Sequence, residues 1–329
     1  MALLHYSAQG HAAKRVPGDR YRDFQMIRFL APILGLILFI AAPAGATERV
    51  KLGQNIMWTN DFFADGRDRW RSGSITAGLA FGPEWGGSLP TQPGEILELR
   101  LLLETMSPAN ITTPAAGDRP FAGHLSVGVH SHFQQKGYEV ALGADLSMIG
   151  PQTRLDRAQS DLHRMLGMDE VSALTRAGQI GNRVQAGMVF EFGREVEFVG
   201  KARLRPFVEA RAGVETLVRG GFDLTVGPAG LGELLARNPV TGHRSRIIDN
   251  GGVGASFVLG ADLAHVASSV FLPESRGLTL TDSRSRLRAG VHWQGEKTDL
   301  FYGFTWMGRE FTGQEDGQLV GSLRLRMNF

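Results

Sequence analysis

The chain has 329 residues, of which 43 are glycine, none is cysteine and 43% are hydrophobic. The lack of cysteine excludes disulfides, zinc–thiolate sites and a cysteine nucleophile. The formal net charge of +2 leaves a nucleic-acid partner possible only if basic residues concentrate in the folded part of the chain.

The amino-terminal segment has the pattern of a secretory signal peptide. Residues 29–42 form an uncharged apolar run of 14 residues that follows an arginine and precedes three small residues. Such a run is shorter than the roughly 20 residues that span a bilayer as a helix, and small residues at its end suit a signal peptidase. We predict that residues 1–46 are an extension and signal peptide cleaved before Thr47, and either Met1 or Met26 can be the start.

The predicted cleavage changes the charge of the chain. Residues 1–46 contain five basic and two acidic residues, so the net charge of the remainder, residues 47–329, is −1. Binding to a phosphate backbone requires a concentration of positive charge that a near-neutral chain does not have. We therefore expect no nucleic-acid partner.

The rest of the chain alternates between apolar and polar positions. In residues 319–329, Leu323 and Leu325 share one face, and Arg324 and Arg326 share the other, which is the period of a β-strand. No window after the signal peptide holds 18 consecutive apolar residues, so membrane-spanning helices are excluded there. With the last segment, about twelve strands are predicted. The other segments lie near residues 50–60, 75–81, 97–103, 125–133, 138–148, 184–192, 202–214, 216–226, 253–266, 285–294 and 299–307.

Two architectures produce this alternation: a soluble sandwich with one wet face, and a membrane barrel whose apolar face contacts lipid. The segments reach the roughly 9–11 residues that a tilted strand needs to cross a bilayer. The final residue, Phe329, resembles the carboxy-terminal signal of bacterial outer-membrane proteins. We predict an all-β fold in which residues 47–329 form a transmembrane up-and-down antiparallel barrel of about 12 strands in the bacterial outer membrane.

One stretch departs from the strand pattern. Residues 152–167 contain no glycine or proline before the final Gly167, which predicts a helix with a glycine stop. The helix lies in a long loop, about residues 153–182, and long barrel loops are extracellular and usually functional. Its apolar residues are Leu155, Ala158, Leu162, Met165 and Leu166.

Two polar pairs are candidates for chemistry. Gln159 and His163 are spaced i, i+4 and share one helix face, where an oriented histidine can act as a general base; the same spacing fits a solvated polar face. Asn60 and Asp61 end the first strand near Asp65, and oxygen ligands of this kind bind a hard cation such as calcium; an ordinary Asn–Asp turn fits equally.

Several short stretches in order resemble the outer-membrane lipid A deacylases, in particular the lipid A 3'-O-deacylase type. The resemblance extends over most of the chain after the signal peptide. The stretches are Asn60-Asp61, Asp68-Arg69 leading to Ser72, Ser107-Pro108, DRPFAG at 118–123, Ile149-Gly150-Pro151, Gln159 to His163 to Gly167, FTGQ at 311–314 and the terminal GSLRLRMNF.

The resemblance implies a twelve-stranded barrel with its site at the extracellular membrane boundary, and a calcium-dependent hydrolase that removes the 3'-linked acyloxyacyl chain of lipid A. It implies that His163 is the general base for water and that Gln159 is its neighbour. Asn60 and Asp61 would lie at the calcium (Ca2+) site, and Ser72 stands in the place of a threonine. Lipid A, or lipopolysaccharide, is the implied partner, together with the lipids of the outer membrane.

The resemblance also implies a third metal-site residue. Asp169 stands where the family has a glutamate, so a carboxylate is present on a shorter side chain. Two other functions remain open at this point: a catalytically inactive, structural or porin-like barrel on the same scaffold, and a phospholipase with the same site. The first predicts that His163 and Asp61 are not near each other.

Overall fold

In a computed structural model of the protein, residues 48–199 and 202–327 are described. The predicted signal peptide, the two possible start residues and Phe329 lie outside these residues and stay predictions. Neither helix introduced below, nor any other helix in the described ranges, is long and apolar enough to cross a membrane.

The described chain is mostly β-strand. Its strands, in chain order, are β1 (Val50–Asn60), β2 (Trp70–Gly82), β3 (Ile96–Ser107), β4 (Ala122–Gln135), β5 (Tyr138–Ile149), β6 (Arg183–Gly193), β7 (Val196–Val199), β8 (Ala202–Ala212), β9 (Glu215–Val226), β10 (Leu234–Arg237), β11 (Arg244–Ile248), β12 (Gly254–Ser269), β13 (Arg284–Gln294), β14 (Thr298–Met307) and β15 (Gln318–Met327).

Within the described ranges, twelve of these strands, all except β7, β10 and β11, form one closed antiparallel barrel. Each barrel strand pairs with the next along the chain, and β1 pairs with β15 to close the ring. The pairing of β6 with β8 bypasses the short β7, which lies on β8 alone. The predicted fold class and strand number are confirmed.

The period-two pattern has its expected physical cause. On β2 the side chain of Ile75 is exposed on the outside, and its neighbours Ser74 and Thr76 are buried inside. On β3, Leu99 is exposed and Arg100 is buried. An outer surface of large apolar side chains around a polar interior is the arrangement that a lipid bilayer requires of a barrel.

A hairpin that the sequence analysis did not predict occupies the interior. Strands β10 and β11 pair with each other, and their connection to the wall is through polar side chains. Ser245 accepts a hydrogen bond of 2.6 Å from Asn55 on β1, and Arg246 lies 2.8 Å from Asp299 on β14. At Gly53 a β-carbon would collide with the carbonyl oxygen of Ile247, so the close approach of hairpin and wall requires glycine.

Charged side chains fill the space around the hairpin. Asp262 on β12 contacts Arg219, Arg286 and Arg288, and Arg237 of the hairpin reaches Asp223 at 2.7 Å. Buried charges are tolerated when they are paired and hydrogen-bonded in this way. The hairpin and these ion pairs leave the barrel filled with side chains.

Two helices lie in the connection between β5 and β6. They are α1 (Leu155–Leu166) and α2 (Ala173–Ala177), and α1 confirms the helix predicted in this loop. The predicted start at residue 152 is too early, because Pro151–Thr153 form a separate 3-10 turn. Gly167 ends α1 with φ of 70°, a conformation that favours glycine.

The barrel end that carries α1, named here the helix end, also holds the connections β1–β2, β3–β4, β8–β9, β12–β13 and β14–β15, as the up-and-down order dictates. The first residue of β1 and the last residue of β15 lie at the other end of the barrel, away from α1. Long loops of such barrels are extracellular, so the helix end faces the outside of the cell.

Candidate active site

The site begins with an irregularity in β2. Trp70 pairs with Ser107 and Gly73 pairs with Thr105, so three steps along β2 match two along β3. A β-bulge of this kind turns a side chain to the other face of the sheet. Arg71 consequently points into the barrel, 2.6 Å from Glu104, whereas the neighbouring residue Ser72 contacts α1 on the outside.

The outer position of the site follows from β3. Along this strand Leu99, Leu101 and Leu103 alternate with buried interior residues and face lipid, and Thr105 and Ser107 continue the same column to the helix end. Ser107 lies 3.5 Å from the Gln159 side chain of α1. The site therefore stands at the end of lipid-facing columns, between the barrel wall and α1, and outside the barrel interior.

Helix α1 covers the wall with its polar face. Asp156, Gln159, Ser160 and His163 are its buried residues and lie on one side, at spacings of three and four. Gly123 at the start of β4 permits this contact, because a β-carbon there would collide with Thr153 and Leu155. The same face that buries these side chains positions Gln159 and His163 over β2 and β3.

The carboxylate of Asp68, in the β1–β2 loop, is the centre of the site. Gln159 Nε2 donates to Asp68 Oδ2 at 3.0 Å and to Ser72 Oγ at 3.1 Å. Ser72 Oγ donates a hydrogen bond to Asp68 Oδ1. His163 Nε2 lies 3.2 Å from Asp68 Oδ2, so one carboxylate joins all three side chains.

The second ring nitrogen of His163 is also held. Its Nδ1 lies 2.5 Å from the carbonyl oxygen of Asp169, and a carbonyl oxygen only accepts hydrogen bonds. Nδ1 therefore carries a hydrogen, and Nε2 is the nitrogen that can take up a proton beside Asp68. This arrangement fixes both the orientation and the tautomer of the His163 ring.

Asp61 lies in the same loop as Asp68 and is fully buried. Its Oδ2 accepts hydrogen bonds from the backbone N–H of Arg69 at 2.8 Å and from Gln318 Nε2 at 3.3 Å. Burial raises the pKa of Asp61 to about 9, with Asp68 and Asp65 adding to the rise and the Arg69 N–H opposing it. With this pKa the Asp61 carboxyl holds a proton at neutral pH.

The other two predicted metal-site residues are placed differently. Asn60 uses its Oδ1 to accept a hydrogen bond of 2.7 Å from the Phe62 N–H, which caps the 3-10 turn that contains Asp61. The side chain of Asp169 is exposed, and its contact to the site is the carbonyl bond to His163. The proposed metal roles of both residues stay predictions.

The donors for a hard cation can be tested against the geometry. In residues 48–199 and 202–327 no three His, Asp or Glu side chains are placed to hold a metal together. In those same ranges Asp61 Oδ1 and Gln159 Oε1 are buried oxygen atoms with no hydrogen-bond partner. Calcium accepts carboxylate, amide and backbone oxygens and water, so these residues fit it with Asp61 as the carboxylate ligand.

Sequence reasoning missed three residues of the site. Asp68 and Ser107 lie in stretches that carried the family resemblance, but neither was assigned a role. Gln318, at the start of β15, donates one hydrogen bond of 2.6 Å to the Arg69 carbonyl and thereby holds the β1–β2 loop in place. The available signal was the position of Asp68 four residues before Ser72, in a loop rich in carboxylates.

Comparisons with known proteins identify the family of the chain. The profile of the family described as "Outer membrane protein LpxR" matches residues 33–329. The chain belongs to this family. Membership of the LpxR family confirms the resemblance to the lipid A deacylases and places the protein in the outer membrane.

The structure of LpxR from Salmonella typhimurium has the same fold, with a TM-score of 0.70 and 17% sequence identity over 84% of this chain and 100% of that chain. The β domain of the Bordetella autotransporter BrkA has a TM-score of 0.41 and 13% identity over 84% of this chain and 99% of that chain. No curated protein sequence matches the chain.

Proposed function

We propose that this LpxR family member is an ester hydrolase that acts on lipid A in the outer leaflet of the outer membrane. One observation supports this most directly: the buried His163 and the half-buried Asp68 form a pair on the lipid side of the barrel wall, at the end of the apolar column of β3. A site in that position is reached from the bilayer, and its substrate is a lipid whose ester bonds lie near the membrane surface.

The proposed chemistry is general base catalysis with water as the nucleophile. Nε2 of His163 takes the proton of the attacking water, and the carboxylate of Asp68, 3.2 Å away, stabilises the imidazolium that forms. The Asp169 carbonyl keeps the ring in place through Nδ1. The proton then passes to the alcohol that leaves when the ester bond breaks.

A serine nucleophile is disfavoured by the hydrogen bonds. Ser72 Oγ donates to the Asp68 carboxylate, so its proton is directed to Asp68 and not to the imidazole. An activated serine needs its hydroxyl against the base. Ser72 acts instead to orient Asp68, as does the Nε2 of Gln159.

Calcium is part of the proposal. Asp61 would hold the ion, with Gln159 Oε1 as a further oxygen and with Asn60 and Asp169 as the residues that the family resemblance adds. When bound, calcium polarises the ester carbonyl and stabilises negative charge on its oxygen. To hold the ion, Asp61 would have to release its proton, and the positive charge of the ion would offset the cost of burying the ionised carboxylate.

The proposed bond is the one that links the acyloxyacyl chain to the 3' position of lipid A. This finer assignment comes from the family resemblance. A phospholipase would use the same residues on a glycerophospholipid, and only the products distinguish the two. The porin-like alternative has little physical basis, because the β10–β11 hairpin and its ion pairs occupy the interior.

The test is mass spectrometry of lipid A and phospholipids from cells that express the wild type or the His163→Ala variant. We expect the wild type to remove the 3' acyloxyacyl chain and the variant to lose activity by at least about 10²-fold, the range for loss of a general base. Arg164→Ala, at the next position on the exposed face of α1, is the matched control and should retain activity. Intact lipid A in all three strains would refute the proposed activity.

A further inference from the structure

Helix α1 has an inverted polarity. Its buried residues are polar, and its exposed residues include Leu162, Met165 and Leu166, which are 50%, 83% and 59% exposed. These three residues, named here the apolar stripe, lie at spacings of three and four and therefore on one side of the helix. A helix on a water-soluble protein buries such a stripe against the core, and α1 does the opposite.

The height of α1 on the barrel is fixed by the strand register. Trp58 pairs with Ile75, Ile75 with Leu103, and Leu103 with Leu125, so these outward residues form one row across β1 to β4. Tryptophan is characteristic of the boundary between lipid chains and head groups. The row therefore marks the upper part of the lipid-facing surface.

Helix α1 begins directly above this row. Gly123, which contacts Leu155 at the first turn of α1, lies two residues beyond Leu125 on β4, or about 7 Å along the strand. The exposed Phe62, which follows β1, extends the apolar surface at the same end. Helix α1 therefore starts next to the lipid-facing surface of the barrel, at the end where Phe62 is exposed.

A second exposed side of α1 is polar. Arg157 and Arg164 lie there, and Arg164, whose side chain is 61% exposed, pairs with Asp161 and with Glu170. An amphipathic helix with charges on one side and large apolar side chains on the other lies in the membrane interface, with the apolar side among the acyl chains. By this pattern the charged side of α1 is the one suited to water, and the apolar stripe is the one suited to lipid.

We infer that the apolar stripe of α1 is immersed in the acyl-chain region of the outer leaflet. The lipid chains are the occupant of this surface, and they hold α1 at a fixed depth. His163 and Gln159 lie on the side of α1 next to the stripe, so the immersion sets the depth of the base relative to the membrane. This inference rests on the outer-membrane location and does not depend on hydrolysis.

The lack of native cysteine makes the depth measurable with spin labels at single introduced cysteines. Met165→Cys and Leu162→Cys report the stripe at two positions, Arg164→Cys is the control on the polar side, and Leu99→Cys is the reference for a lipid-facing wall position. The full barrel is placed in vesicles of phosphatidylethanolamine and lipopolysaccharide. Collisions of the label with oxygen, which dissolves in lipid, and with a nickel chelate, which stays in water, are measured at each position.

We expect labels at 165 and 162 to meet oxygen several-fold more often, and the nickel chelate several-fold less often, than the label at 164, and to approach the values at 99. Nickel access at 165 and 162 equal to that at 164 would overturn the inference. The same labels in a His163→Ala background should give the same depths, so failure of the proposed hydrolysis leaves this result unaffected. Heat-dependent gel mobility of each variant shows that the barrel is folded.

Discussion

Acidic side chains have opposite surroundings in the barrel interior and at the helix end. In the interior, Asp262 is surrounded by Arg219, Arg286 and Arg288, and each of its oxygens is engaged. At the helix end, in the β1–β2 loop, Asp61 has one oxygen bonded and, in the described chain, one with no partner. Neither carboxyl is exposed, so burial alone does not explain the contrast.

The difference separates structure from function. The ion pairs around Asp262 are complete, and such pairs stabilise a shape because removal of one partner leaves buried charge behind. Asp61 has no basic partner among its contacts with the described residues, and burial raises its pKa to about 9, a perturbation that is more frequent at functional sites. Mutations in the interior should therefore lower the stability of the barrel, and mutations at the site should lower its activity.

The largest effect on stability is expected inside. Asp262→Asn leaves three arginines without their carboxylate, and loss of one partner in a buried ion network costs about 3–5 kcal/mol. The change is measured as the urea midpoint of the folded barrel, with the exposed Asp161→Asn as the control. Activity per folded molecule should stay unchanged. A loss of activity at full stability would contradict the assignment of Asp262 to structure alone.

The next effect is on turnover. Asp68→Asn keeps an oxygen near His163 but removes the negative charge that stabilises its protonated form. We expect kcat to fall about 10²-fold, equivalent to about 2.7 kcal/mol, with KM little changed. Asp65→Asn, in the same loop, is the control. A variant that hydrolyses lipid A at the wild-type rate would remove Asp68 from the mechanism.

The smallest effect is a pH dependence at Asp61. Its folded-state pKa of about 9 lies above the value in the unfolded chain, so the folded chain holds the extra proton between about pH 4 and pH 9 and loses stability as the pH rises through that window. In chelator, Asp61→Asn should remove this slope and raise the melting temperature at pH 8 by at least about 2 °C, about 1 kcal/mol.

Added calcium should reverse the order of stability, so that the wild type becomes more stable than the Asp61→Asn variant. Added calcium stabilises the wild type and displaces about one proton from Asp61 on binding at pH 7, whereas Asp61→Asn binds weakly and releases none. Titration calorimetry in two buffers of different ionisation enthalpy measures the released proton. If the stability of the metal-free wild type did not change between pH 5 and pH 9, Asp61 would be ionised throughout that range.

The fold could be predicted from sequence where lipid and interior place opposite demands on alternate residues. The barrel strands carry this contrast, and the predicted segments match the twelve barrel strands closely. Strands β10 and β11 were missed because the contrast is absent there: all four residues of Leu234–Arg237 are buried, although Arg237 is charged and Leu234 is not. A strand enclosed on both faces has no period-two signal.

The site was predictable only in part. Gln159 and His163 are four residues apart on one helix, so their shared face is a local property of the chain. The bond from Gln159 to Asp68 joins residues 91 positions apart, and it exists because the loop between β5 and β6 folds back over β2. The polarity of α1 was also hidden: its pattern predicts an apolar face but not whether protein or lipid covers it.

The hairpin inside the barrel has a consequence for the cell as well as for the fold. The proposed hydrolase would work from the outer surface and would need no passage through its own interior, which β10 and β11 occupy. A bacterium can hold many copies and reshape its surface lipids while the permeability barrier remains intact.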